Sequence, residues 1–260
     1  MAKNAQKTRE LATRIFIRDM RAMFRQSILG YLWILLPPIA NSLVWIYLNE
    51  QQVIQISDER NGAYPIFVLS GNLIWTAFNT TLTGMLATVQ ESRGLISKIH
   101  FPHEALLVAT FAKASVNALI PLLLVIPMLP FYVSSFEWQM LLFPLGVFAI
   151  MLMGATIAIF LLPIATLYND TSRGMQLLLR FAFFLTPVVY PLPTSGLAKV
   201  ISDLNPVTPL LVTTRSWLIG EGPIMLDSFM VLSLIIIPAL FIGILIYKIS
   251  IPYLIERLSA

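Results

Sequence analysis

The sequence contains no cysteine, and none of its 12 glycines is followed by lysine. The first absence removes disulfides, thiol nucleophiles and thiolate metal sites. The second removes the phosphate-cradling G-x-x-x-x-G-K-[ST] loop. Charge is scarce too: 12% of the 260 residues are Asp, Glu, Lys or Arg, where an ordinary soluble domain has about 25%. A surface facing water on all sides cannot be clothed with so few charges, whereas lipid requires none. Histidine is nearly missing. The two present, His100 and His103, are spaced H-x-x-H with Glu104 adjacent. Pro102 stands between them and no further ligand is in view, so they read as loop residues rather than a metal site. No Ser–His–Asp arrangement suggests itself either.

What fills the chain instead is apolar: 57% of residues are hydrophobic. A bilayer core about 30 Å thick needs roughly 20 such residues in a helix. Six runs approach that length, at 28–48, 64–89, 106–133, 140–167, 176–190 and 228–247. The expected fold is an all-α membrane protein of six transmembrane helices. The mixed segment 191–227 is too apolar for a free loop and too interrupted to span. It reads as short helices re-entering the membrane boundary between spans five and six. Residues 248–260 form a tail. No cleavable signal peptide is expected, because the basic segment before the first run is long and no small-residue cleavage site follows.

Lysine and arginine set the orientation. Seven precede the first run, from Lys3 to Arg25. Assigning the connections alternately puts 14 of the 17 basic residues on the cytoplasmic side. Both termini are therefore expected in the cytoplasm, and an even number of spans agrees. A pI near 9.4 follows from charges that flank the spans, so it does not call for a nucleic-acid partner. Within the basic segment 1–27, Arg14, Arg18, Arg21 and Arg25 recur at helical spacing. Phe16, Met20 and Met23 fall on another face. This is the pattern of an amphipathic helix lying at the membrane interface.

Inside the spans, ionisable groups are almost absent. Lys113 lies two turns into the third and Arg180 one turn into the fifth, where both can snorkel to the cytoplasmic face. No buried carboxylate is available to carry protons, as an ion-coupled transporter would require. Work must come from another chain, or the protein is passive. Pro37 and Pro38 fall mid-span. They remove two amide donors, which is tolerated where protein or water satisfies the freed carbonyls. The connection QESRGLISKIHFPHEA carries Leu95, Ile96, Ile99 and Phe101 among charges, the composition of a docking surface. Aromatic residues are plentiful. Many of them, in a set that includes Trp45, Tyr47 and Phe183, stand near span ends, where an interfacial belt is the default reading. Phe78, Phe181 and Phe184 sit deeper, where lipid-facing and core places are also open. Tyr31, Trp33, Trp75, Phe78, Phe181, Phe184 and Tyr190 are candidates to line a path for sugar rings.

Four stretches together resemble the ABC-2 type permeases of the O-antigen, capsule and teichoic-acid exporter group. They are SILGYLWILLPPI, KIHFPHEALLVA, YNDTSRGMQLLLRFAFFLTPVVYP and LNPVTPLLVTTRSWL. The resemblance covers the whole chain, 1–260, in order. It implies a dimer of this chain above two separate ATPase subunits, which would bind the ATP and magnesium that this chain does not. It makes Glu91, Arg93, Leu95, Ile96, Lys98, Ile99, Phe101 and Pro102 the coupling element to those subunits. Arg14, Phe16, Arg18, Arg21 and Arg25 would belong to a gate helix. Spans one, two and five would line the channel. The cargo implied is a polysaccharide, O-antigen foremost, on an undecaprenyl-type lipid, exported across a bacterial inner membrane. Export of teichoic acid, capsule or a small lipid or drug is the nearest alternative. A membrane enzyme acting on a lipid-linked glycan is less favoured, because Asp170, Asp203, Glu221 and Asp227 do not gather at one interface.

Overall fold

A computed structural model describes residues 2–25, 29–30, 32–54, 64–92, 102–133, 136–220 and 222–259. Every regular element among them is helical. Four helical stretches are long and apolar enough to cross a membrane: Leu32–Glu50, Glu104–Tyr132, Trp138–Leu167 and Leu226–Leu254. The chain is a multi-pass integral membrane protein with an all-α fold.

The first helix, α1 (Ala2–Phe24), precedes these. Its inward stripe is Leu11, Ala12, Ile15 and Phe16, with Ala12 and Ile15 buried. The expected apolar face shifts accordingly: Met23 is exposed and Phe16 packs on the core. α2 (Leu32–Glu50) runs straight through Pro37 and Pro38 without losing its helical assignment. α3 (Tyr64–Glu91) is the hub. It packs against α2 and against α4 (Glu104–Leu122) and α5 (Phe143–Leu167), and most of its residues are buried.

α3 falls outside the apolar set for a physical reason. Asn72, Thr76, Asn79, Thr80, Thr81 and Thr83 interrupt it, and a helix enclosed by protein need not match lipid. Its contact with α5 depends on Gly154. A Cβ there would sit 2.9 Å from the Phe78 carbonyl oxygen, so only glycine permits this approach of the two helices.

The third expected span does not continue as one α-helix to 133. Pro121, Pro127 and Pro130 withdraw amides, and beyond Leu122 the chain proceeds through a 3₁₀ turn (Ile126–Met128) and one α-turn (Leu129–Tyr132). A second 3₁₀ turn, Trp138–Leu142, leads into α5. α6 (Asn169–Leu185) starts seven residues before the expected 176 and stops at Thr186, so 186–190 is not helical.

Two short helices follow, α7 (Gly196–Leu204) and α8 (Val207–Ile219). All of α8 is buried, wedged among α3, α5 and α9 (Leu226–Ser259). At 13 residues it is about 20 Å long, too short to span, and Gly220 closes it in the left-handed conformation (φ 76°). α9 continues past 247 to Ser259, so the expected tail is helical.

The most consequential departure from the sequence reading is Arg215. It is one of the three basic residues that the alternating assignment leaves outside the cytoplasmic set, in the segment 191–227, yet it is 4% exposed on α8. Its Nη1 donates to the carbonyls of Pro187 (2.9 Å) and Val188 (3.0 Å). The guanidinium also lies over the Phe67 ring, 3.6 Å from its centroid. Tyr64 donates to the Val189 carbonyl (3.1 Å). Asn205 donates to Thr186 Oγ1 (2.7 Å), and its own Oδ1 accepts from the Val207 amide (3.0 Å). A Cβ on Gly71 would collide with the Val188 carbonyl. The end of α6 thus lies clamped against α3 and α8, with its carbonyls satisfied by side chains rather than by a continuing helix.

Candidate functional site

α2, α3 and α6 wall a cleft of about 810 Å³. Each helix presents a stripe at helical spacing. On α2 it runs Pro37, Asn41, Trp45 and Leu48; on α3 it runs Asn72, Thr76, Asn79 and Thr83; on α6 it runs Gln176, Arg180, Phe183 and Phe184. Pro37 and Pro38 withdraw the amides that would bond the carbonyls of Trp33 and Ile34. Their position in this wall puts a polar cleft beside that gap.

A hydrogen-bonded chain fixes α2 to α3. Asn41 Nδ2 donates to Asn72 Oδ1 (3.0 Å), Asn72 Nδ2 to Ser42 Oγ (2.8 Å), and Ser42 Oγ to the Pro38 carbonyl (2.7 Å). Aromatic rings fix α6 to both. Trp45 lies 6.3 Å from Phe184, Phe184 meets Phe183 edge-on at 5.3 Å, and Phe183 meets Trp75 edge-on at 5.9 Å. The wall therefore offers aromatic faces beside amide and hydroxyl groups. A sugar ring presents the complement, with C–H faces that stack on aromatics and hydroxyls that pair with amides.

Of the residues expected to line a path, Trp75 and Phe184 stand in this wall. Phe78 does not: it is 2% exposed, packed against Trp75 and beneath Gly154 in the protomer core. Trp33 and Phe181 are exposed but lie outside the cleft. Tyr190 is half-buried and donates to the Phe184 carbonyl (2.9 Å). Tyr31 lies outside the described residues. Trp45 and Phe183 stand in the wall although neither was among the path candidates, and the amides were passed over. Their signal was available as the 72-76-79-83 polar stripe within an apolar run.

Of the gate-helix candidates, Arg18 alone borders a second cavity, about 580 Å³, between α1, α3 and α4. Arg18 reaches it while bonded through Nε to Asp19 (2.9 Å). Arg14 pairs with Glu10 (2.7 Å) on the exposed side. Arg21 and Arg25 are exposed, and Phe16 packs inward. Of the coupling candidates, Glu91 closes α3 and borders this cavity, and Pro102 stands just before α4. Arg93, Leu95, Ile96, Lys98, Ile99 and Phe101 lie outside the described residues, as does His100. Glu104, at the start of α4, pairs with Lys248 of α9 (2.9 Å).

The chain matches the profile of a family described as ABC-2 type transporter over residues 11–219. It is 29% identical over 204 residues to the O-antigen export system permease protein RfbA of Myxococcus xanthus, covering 76% of each chain. Its identity to a Klebsiella pneumoniae protein of the same name is 21% over 209 residues, covering 77% of this chain and 75% of the relative. The polysialic acid transport protein KpsM of Escherichia coli is 21% identical over 250 residues, covering 90% of this chain and 91% of the relative.

Proposed function

The chain belongs to the ABC-2 type transporter family, and from that premise and the cleft we infer that it is the permease subunit of an ATP-binding cassette exporter of lipid-linked polysaccharide. The observation that carries the cargo class is the cleft wall, where Trp45, Trp75, Phe183 and Phe184 stand beside Asn41, Asn72, Asn79 and Gln176. Relatives bearing O-antigen and polysialic acid names agree with it. Among polysaccharides, O-antigen is our first assignment.

In this reading the chain crosses a bacterial inner membrane six times. α3 and α6 join the four apolar helices as crossings whose polar stripes face the path rather than lipid. α7 and α8 re-enter from the outer side, and both termini are cytoplasmic. Two copies face each other across the cleft. Two ATPase subunits bind ATP and magnesium and dock on the connection 92–103. α1 forms the gate beside the entry for the lipid carrier.

The test is made in the native host. Deleting the gene removes surface polysaccharide and leaves lipid-linked glycan inside; restoring it recovers export only when the ATPase subunit is also present. Leu95→Asp leaves the protein inserted but abolishes pull-down of the ATPase. Normal surface polysaccharide in the deletion strain sinks the cargo assignment, and ATPase retained by the Leu95→Asp protein sinks the docking assignment.

A further inference from the structure

Of all the residues that wall the 810 Å³ cleft, Arg180 is the one with a charge. It projects from α6 in register with Gln176 below and Phe183 and Phe184 above. No carboxylate stands in the wall. Arg180 makes no hydrogen bond or ion pair among the described residues. The neighbouring cation on the same helix, Arg173, is not in the wall and has a carboxylate beside it, Asp170, 3.8 Å distant with both side chains exposed.

Arg180 is also not at the helix edge where the apolar run suggested it. α6 begins at Asn169, so Arg180 stands three turns in, about 16 Å along the axis. Its side chain is exposed to the cleft, and an ionisable group on a helix of a membrane protein is retained where it meets a partner or a polar path. Here the path is present, and no charged partner stands beside it among the described residues. The surrounding wall supplies acceptor oxygens from Asn41, Asn72, Asn79, Thr76 and Thr83, but nothing that neutralises a cation.

We propose that Arg180 is the anion-reading residue of the cleft, gripping an oxyanion of the passing cargo through its planar guanidinium. This rests on the exporter reading above and deepens it: the cargo is not a wholly neutral chain. A guanidinium matches two oxygens of a phosphate or carboxylate at once. The amide and aromatic wall would hold the sugars, and Arg180 would hold the charge. The oxyanion has two sources, the diphosphate joining glycan to lipid or an acidic group within the glycan. Both present the same two-oxygen edge. A compact ammonium would attract either but not match that edge, so Arg180→Lys should weaken binding less than Arg180→Gln.

The purified full-length chain in phosphatidylcholine nanodiscs is titrated with three probes: a polyprenyl diphosphate, a uronic-acid oligosaccharide and a neutral oligosaccharide of the same length. Arg180→Gln is expected to lose affinity for one or both anionic probes by roughly tenfold or more, with Arg180→Lys intermediate and the neutral probe unchanged. Loss for the diphosphate alone assigns the carrier as the source. Loss for the uronic probe alone assigns the glycan, and loss for both assigns the two together; each of these supports the proposal. Arg180→Gln binding every anionic probe like the native chain overturns it, as does an equal loss for the neutral probe. Failure of the exporter reading is separately visible: then the native chain binds none of the probes, and deleting its gene leaves surface polysaccharide intact.

Discussion

Replacing Arg215 by methionine isolates the clamp that closes the end of α6. Methionine keeps most of the apolar stem and removes the guanidinium. Two charge-assisted hydrogen bonds, at 2.9 and 3.0 Å, disappear together. The carbonyls of Pro187 and Val188 lose this donor, and the lost bonds cost about 1–3 kcal/mol each. The stacking over Phe67, at 3.6 Å, is worth about 2 kcal/mol when desolvated. Against this, a guanidinium no longer has to be stripped of water, which offsets several kcal/mol. The net expectation is a destabilisation of about 2–4 kcal/mol. Lysine in the same place keeps the charge but loses the fork and the flat face, for about half that cost.

Two measurements check it. The unfolding midpoint of the purified chain in detergent should fall by several degrees, at about 2–4 °C per kcal/mol for a chain of this size. A local readout is available because the sequence has no cysteine. Val188 is fully buried, so a thiol introduced by Val188→Cys resists maleimide while the clamp holds, and reacts once Arg215→Met is added. An Arg215→Met protein that melts within about a degree of native, with the thiol still protected, would refute the claim that this arginine holds the break in place.

Gly154→Ala should cost about 1–3 kcal/mol by overpacking, because its Cβ would meet the Phe78 carbonyl at 2.9 Å; a thermal melt unchanged from native would contradict the α3–α5 packing. Asn72→Leu breaks both bonds to α2 and leaves Ser42 and Asn41 to repair themselves, so a loss of about 1–3 kcal/mol is expected, read as a lowered midpoint. Glu104→Gln removes the pair with Lys248, whose side chains are 30% and 52% exposed; at such exposure the effect should stay within about 1 kcal/mol, and a larger drop in the melt would mean the pair carries more of the α4–α9 junction than its geometry implies.

The four helices long and apolar enough to cross a membrane were plain in the sequence from length and composition alone, including Trp138–Leu167, which is 67% buried inside the fold. α3 and α6 carry a weaker apolar signal. Asn72, Thr76, Asn79 and Thr83 lower the apolar signal of α3, and Arg173, Gln176 and Arg180 shorten that of α6. In both, the stripe that weakens the signal is the one that walls the cleft. Polarity at one helical face and hydrophobicity at the others average to a weaker run; α3 was still read within two residues of its bounds, whereas α6 was placed seven residues late at its start. Phe78 shows the converse error. Its type suited a sugar path, but its place in the core is set by Gly154, a residue on another helix, and no spacing within α3 reveals that.

Arg215 and Asn205 carry the same lesson further. In the sequence, TPVVYP and NPVTPLLVTTR stand apart, the first ending one run and the second inside a mixed segment. In the fold they are one unit. Proline at 187 and 191 cannot continue α6, so the carbonyls at its end need donors from elsewhere. Asn205 and Arg215 supply donors to this stretch, the first to the Thr186 hydroxyl and the second to the carbonyls of Pro187 and Val188. A guanidinium that would be a surface charge in a loop becomes a buried donor because α8 packs along its whole length against α3, α5 and α9. Once α8 is required to complete the helix end, a stretch too short to cross the membrane has a reason to be fully buried, and a change in either motif falls on the other.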